Sequence, residues 1–160
     1  MEDVELVLRF FAYRQKHRLH KGGTSFAAYL DTYLQHGNTF AEAVIGNLAM
    51  LFVSTISLVE ETFGEGAFWL FRRRGREGHC TWSWFERPTT TVYDPLMFIM
   101  SAHLNQSDAI RKRAARFQAA MPEFYKKHYE VFEGRNVNPS TLLQREQTLE
   151  QLVHEILAKP

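Results

Sequence analysis

Apolar residues recur at helical spacing along most of this chain. In residues 2–18, Leu6, Phe10 and Tyr13 follow the i, i+4, i+7 stripe of a helix that faces a core. The same spacing predicts further helices over residues 25–36, 90–104, 106–120, 122–133 and 139–158. Residues 40–62 are apolar on nearly every turn, and helices of that kind are usually central. We therefore expect residues 40–62 to form a buried core helix.

Between the third and fourth predicted helices the helical spacing gives way to alternation. Residues 80–85 alternate polar and aromatic side chains, which is typical of a strand, and they could pair with residues 68–73. The polar residues between these two segments indicate a surface loop. We predict a single all-α domain over residues 1–160, a bundle of five to seven helices with one small β-hairpin around residues 68–86.

Composition narrows the classes of partner and compartment. The chain has 19 Lys and Arg against 18 Asp and Glu, a formal net charge of +1, so overall charge predicts no polyanionic partner. A single cysteine, Cys80, excludes internal disulfides and is typical of a reducing compartment. Residues 1–12 lack the basic start of a secretory signal, and the membrane-like residues 48–59 fall short of the roughly 20 needed to span a bilayer. We expect a cytoplasmic protein without a membrane partner.

The strongest charge cluster is a run of four arginines, Arg72, Arg73, Arg74 and Arg76. Arginines of this kind contact the phosphates of nucleic acid without reading its sequence. Trp82 and Trp84 follow closely and could stack on bases. The alternative interpretation is a solvated loop that keeps the tip of the hairpin in water. The nucleic-acid hypothesis therefore names these six residues as a candidate DNA contact.

No pattern of residues predicts a catalytic or metal site. His79 and Cys80 lack the second pair of ligands that a structural zinc site requires. Cys80 has no positioned base, and no Gly-x-Ser-x-Gly turn or phosphate-binding loop is present. Arg14 and His20 have the spacing found in HEPN ribonucleases, but His20 falls in a predicted loop beside two glycines. We expect no catalytic residue, no cofactor and no metal, and no enzymatic activity of this chain alone.

Three short motifs and one later arginine occur together in the chain: residues 3–14, Phe63-Gly64-Glu65-Gly66-Ala67-Phe68, Thr90-Thr91-Val92-Tyr93-Asp94-Pro95-Leu96-Met97, and Arg145. In this order they resemble the C-terminal helical portion of the GmrSD-like family, a large bacterial restriction and phage-defence group. Its members carry an N-terminal ParB/sulfiredoxin-like domain, the domain of unknown function 262. The Glu-x-Val-Leu-Arg-Phe helix of that family corresponds to the segment around Arg9.

The resemblance implies a part of a larger DNA-targeting defence protein. The Asp-Gly-Gln-Gln-Arg signature that carries the family's nucleotide chemistry is absent from this chain, as is a His-Asn-His nuclease pattern. Activity therefore does not transfer to residues 1–160. What the resemblance implies is a non-catalytic helical accessory domain that supports a nucleotide-binding half outside this chain and contacts DNA.

The resemblance also implies a structural role for Arg9. This arginine lies within the apolar run of the first helix, and a guanidinium there needs a carboxylate or several carbonyls to satisfy its five donors. Glu5, Asp94 or another acid of the core could be the partner. Asp94 is our hypothesis, because it is the lone acid at the start of an apolar helix.

A second interpretation of the whole chain is a self-contained helical module for protein–protein interaction. The chain contains thirteen phenylalanines, which is a high number for its length. An aromatic surplus of this kind could form an exposed contact for a partner, and large exposed apolar patches mark such sites. Binding to DNA that weakens with salt would favour the first interpretation over this one.

Overall fold

The computed structural model describes residues 3–19, 25–75, 80–134 and 138–158. Within these ranges the chain is mostly helical and has one two-stranded antiparallel sheet. The elements in order are α1 (Asp3–Leu19), α2 (Phe26–Gly37), α3 (Glu42–Phe63), β1 (Leu70–Arg74), β2 (Thr81–Phe85), α4 (Thr90–Ala102), α5 (Ser107–Arg111), α6 (Ala114–Lys127), α7 (Tyr129–Phe132) and α8 (Pro139–Ala158). The predicted helical class and the hairpin are confirmed. Eight helices are described, one more than the upper limit of the predicted five to seven. The count includes two single-turn helices, α5 and α7.

Local capping explains several helix boundaries. The side chain of Ser25 accepts a hydrogen bond from the backbone N–H of Ala28 and begins α2. Asn138 does the same for α8, where its Oδ1 accepts from the backbone N–H of Thr141 at 2.8 Å. Thr39-Phe40-Ala41-Glu42 has the spacing that predicts a capping box for α3, but this prediction is wrong, because the Thr39 hydroxyl donates to the carbonyl of His36 at the end of α2.

Two clusters of buried side chains hold the fold together. The larger one surrounds α4, whose Val92, Leu96, Met97 and Met100 are almost fully buried, and α4 packs against α1, α3 and α8. The smaller one lies between α1 and α2 and is centred on Tyr13. The aromatic residues of the chain mostly fill these two clusters. Close burial of this kind stabilises by roughly 25 cal/mol for each Å² removed from water.

The two halves of α3 have different surroundings. Leu58 and Val59 near the end of the helix are fully buried, whereas Ile45, Met50 and Val53 are more than half exposed. The prediction of a central helix buried along its length is therefore wrong for the first half. A buried helix and a helix without a partner can both be apolar on all faces, so the sequence pattern does not distinguish them.

The length of α3 also changes the argument about membranes. The helix has 22 residues, and an 18-residue window within it has a mean hydropathy of 1.8, which is long and apolar enough by composition to cross a bilayer. The sequence analysis considered only residues 48–59 and therefore underestimated the length of this apolar helix. Its second half, however, packs inside the domain through Leu58 and Val59. The expected absence of a membrane partner stays a prediction.

A candidate anion-binding cavity

Arg9 on α1 and Asp94 on α4 form a buried ion pair. The Arg9 Nε donates to one carboxylate oxygen of Asp94 at 3.0 Å, and its Nη2 donates to the other. Arg9 is 8% exposed and Asp94 is 4% exposed. Burial raises the pKa of the Asp94 carboxyl, while the adjacent Arg9 guanidinium opposes that shift. The pair is the one that the sequence analysis proposed, and Glu5 adds a longer contact of 3.6 Å to Arg9.

Beside this ion pair lies a cavity of about 810 Å³. Residues of α1, α2, the hairpin, the start of α4 and α8 line it. Its charged lining residues in the described ranges are Glu5, Arg9, Arg72, Asp94 and Arg145. Three guanidinium groups against two carboxylates leave one positive charge in excess, so the cavity favours an anion.

Arg145 is the most deeply buried of the three arginines in this cavity. It is 1% exposed and is one of the largest fully buried side chains. Its Nε donates to the carbonyl of Val131 at 2.9 Å, but its buried Nη2 has no hydrogen-bond partner among the described residues. Burial lowers the pKa of the Arg145 guanidinium, and the nearby Tyr13 and Asp94 oppose that shift. A buried cation with an unpartnered donor is costly unless a ligand completes its hydrogen bonds.

Arg72 and the start of α4 also line the cavity. The guanidinium of Arg72 lies 3.9 Å from the centre of the Phe85 ring, and its buried Nε has no partner among the described residues. The buried hydroxyl of Thr89, just before α4, is likewise without a described partner. The first turn of a helix also presents N–H groups and the positive end of the helix dipole. Arginines beside a helix start are a typical setting for a phosphate or carboxylate.

The three described arginines of the predicted DNA contact alternate between the two faces of β1. The register pairs Arg72 with Ser83 and Arg73 with Trp82, and successive residues of a strand point to opposite faces. Arg72 therefore lines the cavity, while Arg73 lies exposed on the other face. Arg74 is exposed and donates to the carbonyl of Trp84 at 3.4 Å. Arg76 lies outside the described residues, as does His20.

The two predicted stacking tryptophans contact aromatic rings of their own chain. The ring of Trp82 stacks on Phe71, with centroids 6.0 Å apart, and meets Tyr129 edge-on at 5.4 Å. Trp84 packs against Phe71 at 5.1 Å and against Tyr125. Both tryptophans are partly buried. These contacts give the tryptophans a packing role within the hairpin and leave less ring surface for a base.

Two features of the structure were not predicted from single sequence motifs. Arg145 entered the sequence argument only as part of the family resemblance, although a lone arginine at an inward position of α8 is a signal of a buried charge. His103, Glu150 and His154 lie close enough to hold a metal ion together. The pair Glu150 and His154, one helical turn apart, was the signal available from the sequence.

Comparison with models of known protein families, with curated proteins and with solved structures finds no match to this chain. The resemblance to the GmrSD-like family therefore rests on the sequence motifs alone.

Proposed function

We propose that this chain is a non-catalytic helical accessory domain of a GmrSD-like, DNA-targeting protein, and that its arginine-lined cavity holds a phosphate of DNA. The observation that carries the proposal is Arg145, which lines the cavity together with Arg9 and Arg72 and whose buried Nη2 has no hydrogen-bond partner in the described chain. A phosphate offers several acceptor oxygens, and hydrogen bonds from guanidinium groups to such oxygens are among the stronger ones.

The charges around Arg9 explain why the cavity would bind without reacting. Asp94 uses both of its oxygens on Arg9, so it is not free to act as a base. Arginine stays protonated at neutral pH and cannot transfer a proton. The exposed Arg73 and Arg74 would add contacts to neighbouring phosphates, which supply affinity without specificity.

The test is binding of a fluorescent DNA duplex, followed by anisotropy over a series of salt concentrations. Arg72→Ala should weaken binding and lower the slope of log affinity against log salt by about 1, because one phosphate contact is lost. Arg87→Ala is the matched control, since this exposed arginine does not line the cavity. Equal affinity of the wild type and Arg72→Ala, or binding that ignores salt, would contradict the proposal.

The surface arginines need a separate variant. A combined Arg73→Ala, Arg74→Ala and Arg76→Ala chain keeps the cavity and removes the rest of the cluster. The proposal predicts that this variant still binds inorganic phosphate, detected as protection against thermal unfolding, while its DNA affinity falls. A variant that loses phosphate protection together with DNA binding would show that the cavity is not the phosphate site.

The exposed half of α3 favours a second candidate function, a protein-interaction module. Its most exposed large side chains are Ile45, Met50 and Val53. The expected aromatic contact is not among them, since the large exposed apolar residues of the described chain are all aliphatic. The helix contains no Lys or Arg, unlike helices that lie on anionic membranes, so a protein groove is the better fit.

The second candidate has a direct test. A photoreactive residue at position 50 should cross-link the chain to a protein partner in cells. With the photoreactive residue at position 53 instead, the Met50→Glu variant should not form this cross-link. Sedimentation of the purified chain with vesicles of neutral and anionic lipid is the contrasting measurement. Sedimentation with the vesicles and no trapped protein would replace the protein groove with a lipid surface.

A further inference from the structure

A separate cluster of polar side chains lies where the end of α4 meets α8. His103 directly follows α4, and Glu150 and His154 lie one turn apart on α8. The Nε2 atoms of both histidines lie 2.9 Å from Oε1 of Glu150. All three atoms lie within 4.8 Å of one another, and none of the three residues lines the arginine cavity.

We infer that His103, Glu150 and His154 form a three-ligand site for a divalent transition-metal ion of the zinc class. Imidazole nitrogen and carboxylate oxygen are the ligands that zinc prefers alongside thiolate, and two histidines with one glutamate leave the fourth position to water. Zinc–ligand bonds of about 2.0–2.1 Å in a tetrahedron place neighbouring ligand atoms about 3.3 Å apart. Each histidine nitrogen must therefore move about 0.4 Å away from the Glu150 oxygen, and the two histidine nitrogens must approach each other by at most about 1.5 Å.

The burial of the three residues suits entry of an ion from solvent. His103 is 6% exposed and is held by two backbone hydrogen bonds of its N–H to Ile99 and Met100. The side chain of His154 is 66% exposed and that of Glu150 is 36% exposed. The site therefore has one fixed ligand on the inside and two ligands at the surface. An ion can reach them without any opening of the core.

Gln106 is the positioning residue of this site. Its side-chain amide nitrogen lies 3.1 Å from Nδ1 of His103. When Nε2 of a histidine binds a metal, Nδ1 carries the proton and needs an acceptor. The nitrogen and oxygen of a glutamine amide are interchangeable by a flip of the group. This flip places the amide oxygen of Gln106 beside Nδ1 of His103, where it accepts the hydrogen bond. With its amide in that flipped orientation, Gln106 holds the ring of His103 in the tautomer that binds metal through Nε2.

The experiment uses the full chain without a purification tag, titrated with Co²⁺ and followed by visible absorption, then with Zn²⁺ as competitor. One Co²⁺ per chain with the strong absorption of a four-coordinate ion is the expected result, and Zn²⁺ should displace it. His154→Ala and Glu150→Gln should each weaken Co²⁺ binding by at least about tenfold, and Gln106→Ala by about tenfold to a hundredfold. His36→Ala is the matched control, since His36 is an exposed histidine on α2.

The outcomes separate a metal site from a set of hydrogen bonds. Circular dichroism should show that His154→Ala folds as the wild type does, because that side chain is mostly exposed. Retained Co²⁺ affinity in both His154→Ala and Glu150→Gln would overturn the proposal, and so would the absence of a four-coordinate spectrum. Equal losses in His36→Ala and His154→Ala would mean surface histidines bind at random, which also overturns it.

Discussion

Arg9 and Asp94 lie 85 positions apart in the chain and join α1 to α4 through two parallel hydrogen bonds. Both side chains are buried, so little of the pair is in contact with bulk water. A second buried pair, Lys16 with Glu146, connects α1 to α8 in the same way. The position of α1 against the rest of the domain is therefore fixed by ion pairs as well as by apolar packing.

Replacing one member of the Arg9–Asp94 pair should be more harmful than replacing both. Asp94→Leu alone leaves the Arg9 charge buried with only a long contact to Glu5, and should lower the free energy of unfolding by about 3–5 kcal/mol. The double variant Arg9→Met, Asp94→Leu should recover most of that loss, because apolar residues of similar volume often replace a buried pair without cost. Urea unfolding measures both, and equal losses in the two variants would contradict this account.

Arg145 should be more important for binding than for folding. Arg145→Met keeps the length of the side chain and removes the buried donor that has no described partner. It gives up the bond from Nε to the carbonyl of Val131, so stability should fall by no more than about 1 kcal/mol. Phosphate should no longer protect this variant against thermal unfolding. The control Arg87→Met should retain the protection. If Arg145→Met also retains it, Arg145 is not part of the phosphate site.

Trp82 should behave in the opposite way. Its ring contacts Phe71 and Tyr129, and two aromatic contacts of this kind stabilise by about 1–3 kcal/mol together. Trp82→Ala should therefore lower the midpoint of urea unfolding while leaving DNA affinity unchanged at a temperature where the chain is folded. If affinity falls and stability does not, Trp82 stacks on a base as the sequence analysis proposed.

Local patterns were sufficient for much of the fold. The predicted bounds of α1, α2 and α8 agree with the structure within one residue, since periodicity and capping residues such as Ser25 and Asn138 act over a few positions. Pro122 was expected to begin a helix, yet α6 passes through it, and the break lies earlier, between the end of α5 at Arg111 and the start of α6 at Ala114. Packing of the buried Phe117 and Phe124 on either side of the proline outweighs its local preference.

The candidate sites were beyond local patterns because they join distant segments. The cavity combines residues of α1, the hairpin, α4 and α8, and the histidine cluster joins α4 to α8. No spacing within one segment predicts that side chains from these separate elements lie close together. The split of the arginine run, by contrast, follows from strand alternation alone, once Arg72 and Arg73 are placed in one strand.

The contrast between the two halves of α3 gives a prediction with an internal control. Val53 is 59% exposed and Val59 is fully buried, although both are valines on the same apolar helix. Val59→Ala should lower the free energy of unfolding by about 2 kcal/mol, because it leaves a cavity and loses buried apolar surface. Val53→Ala should change it by no more than about 0.5 kcal/mol, and in the stabilising direction, since alanine is the better helix former. Urea unfolding of the two variants measures the difference. Similar losses at both positions would mean that the first half of α3 is covered in solution, as it would be by a second copy of the chain.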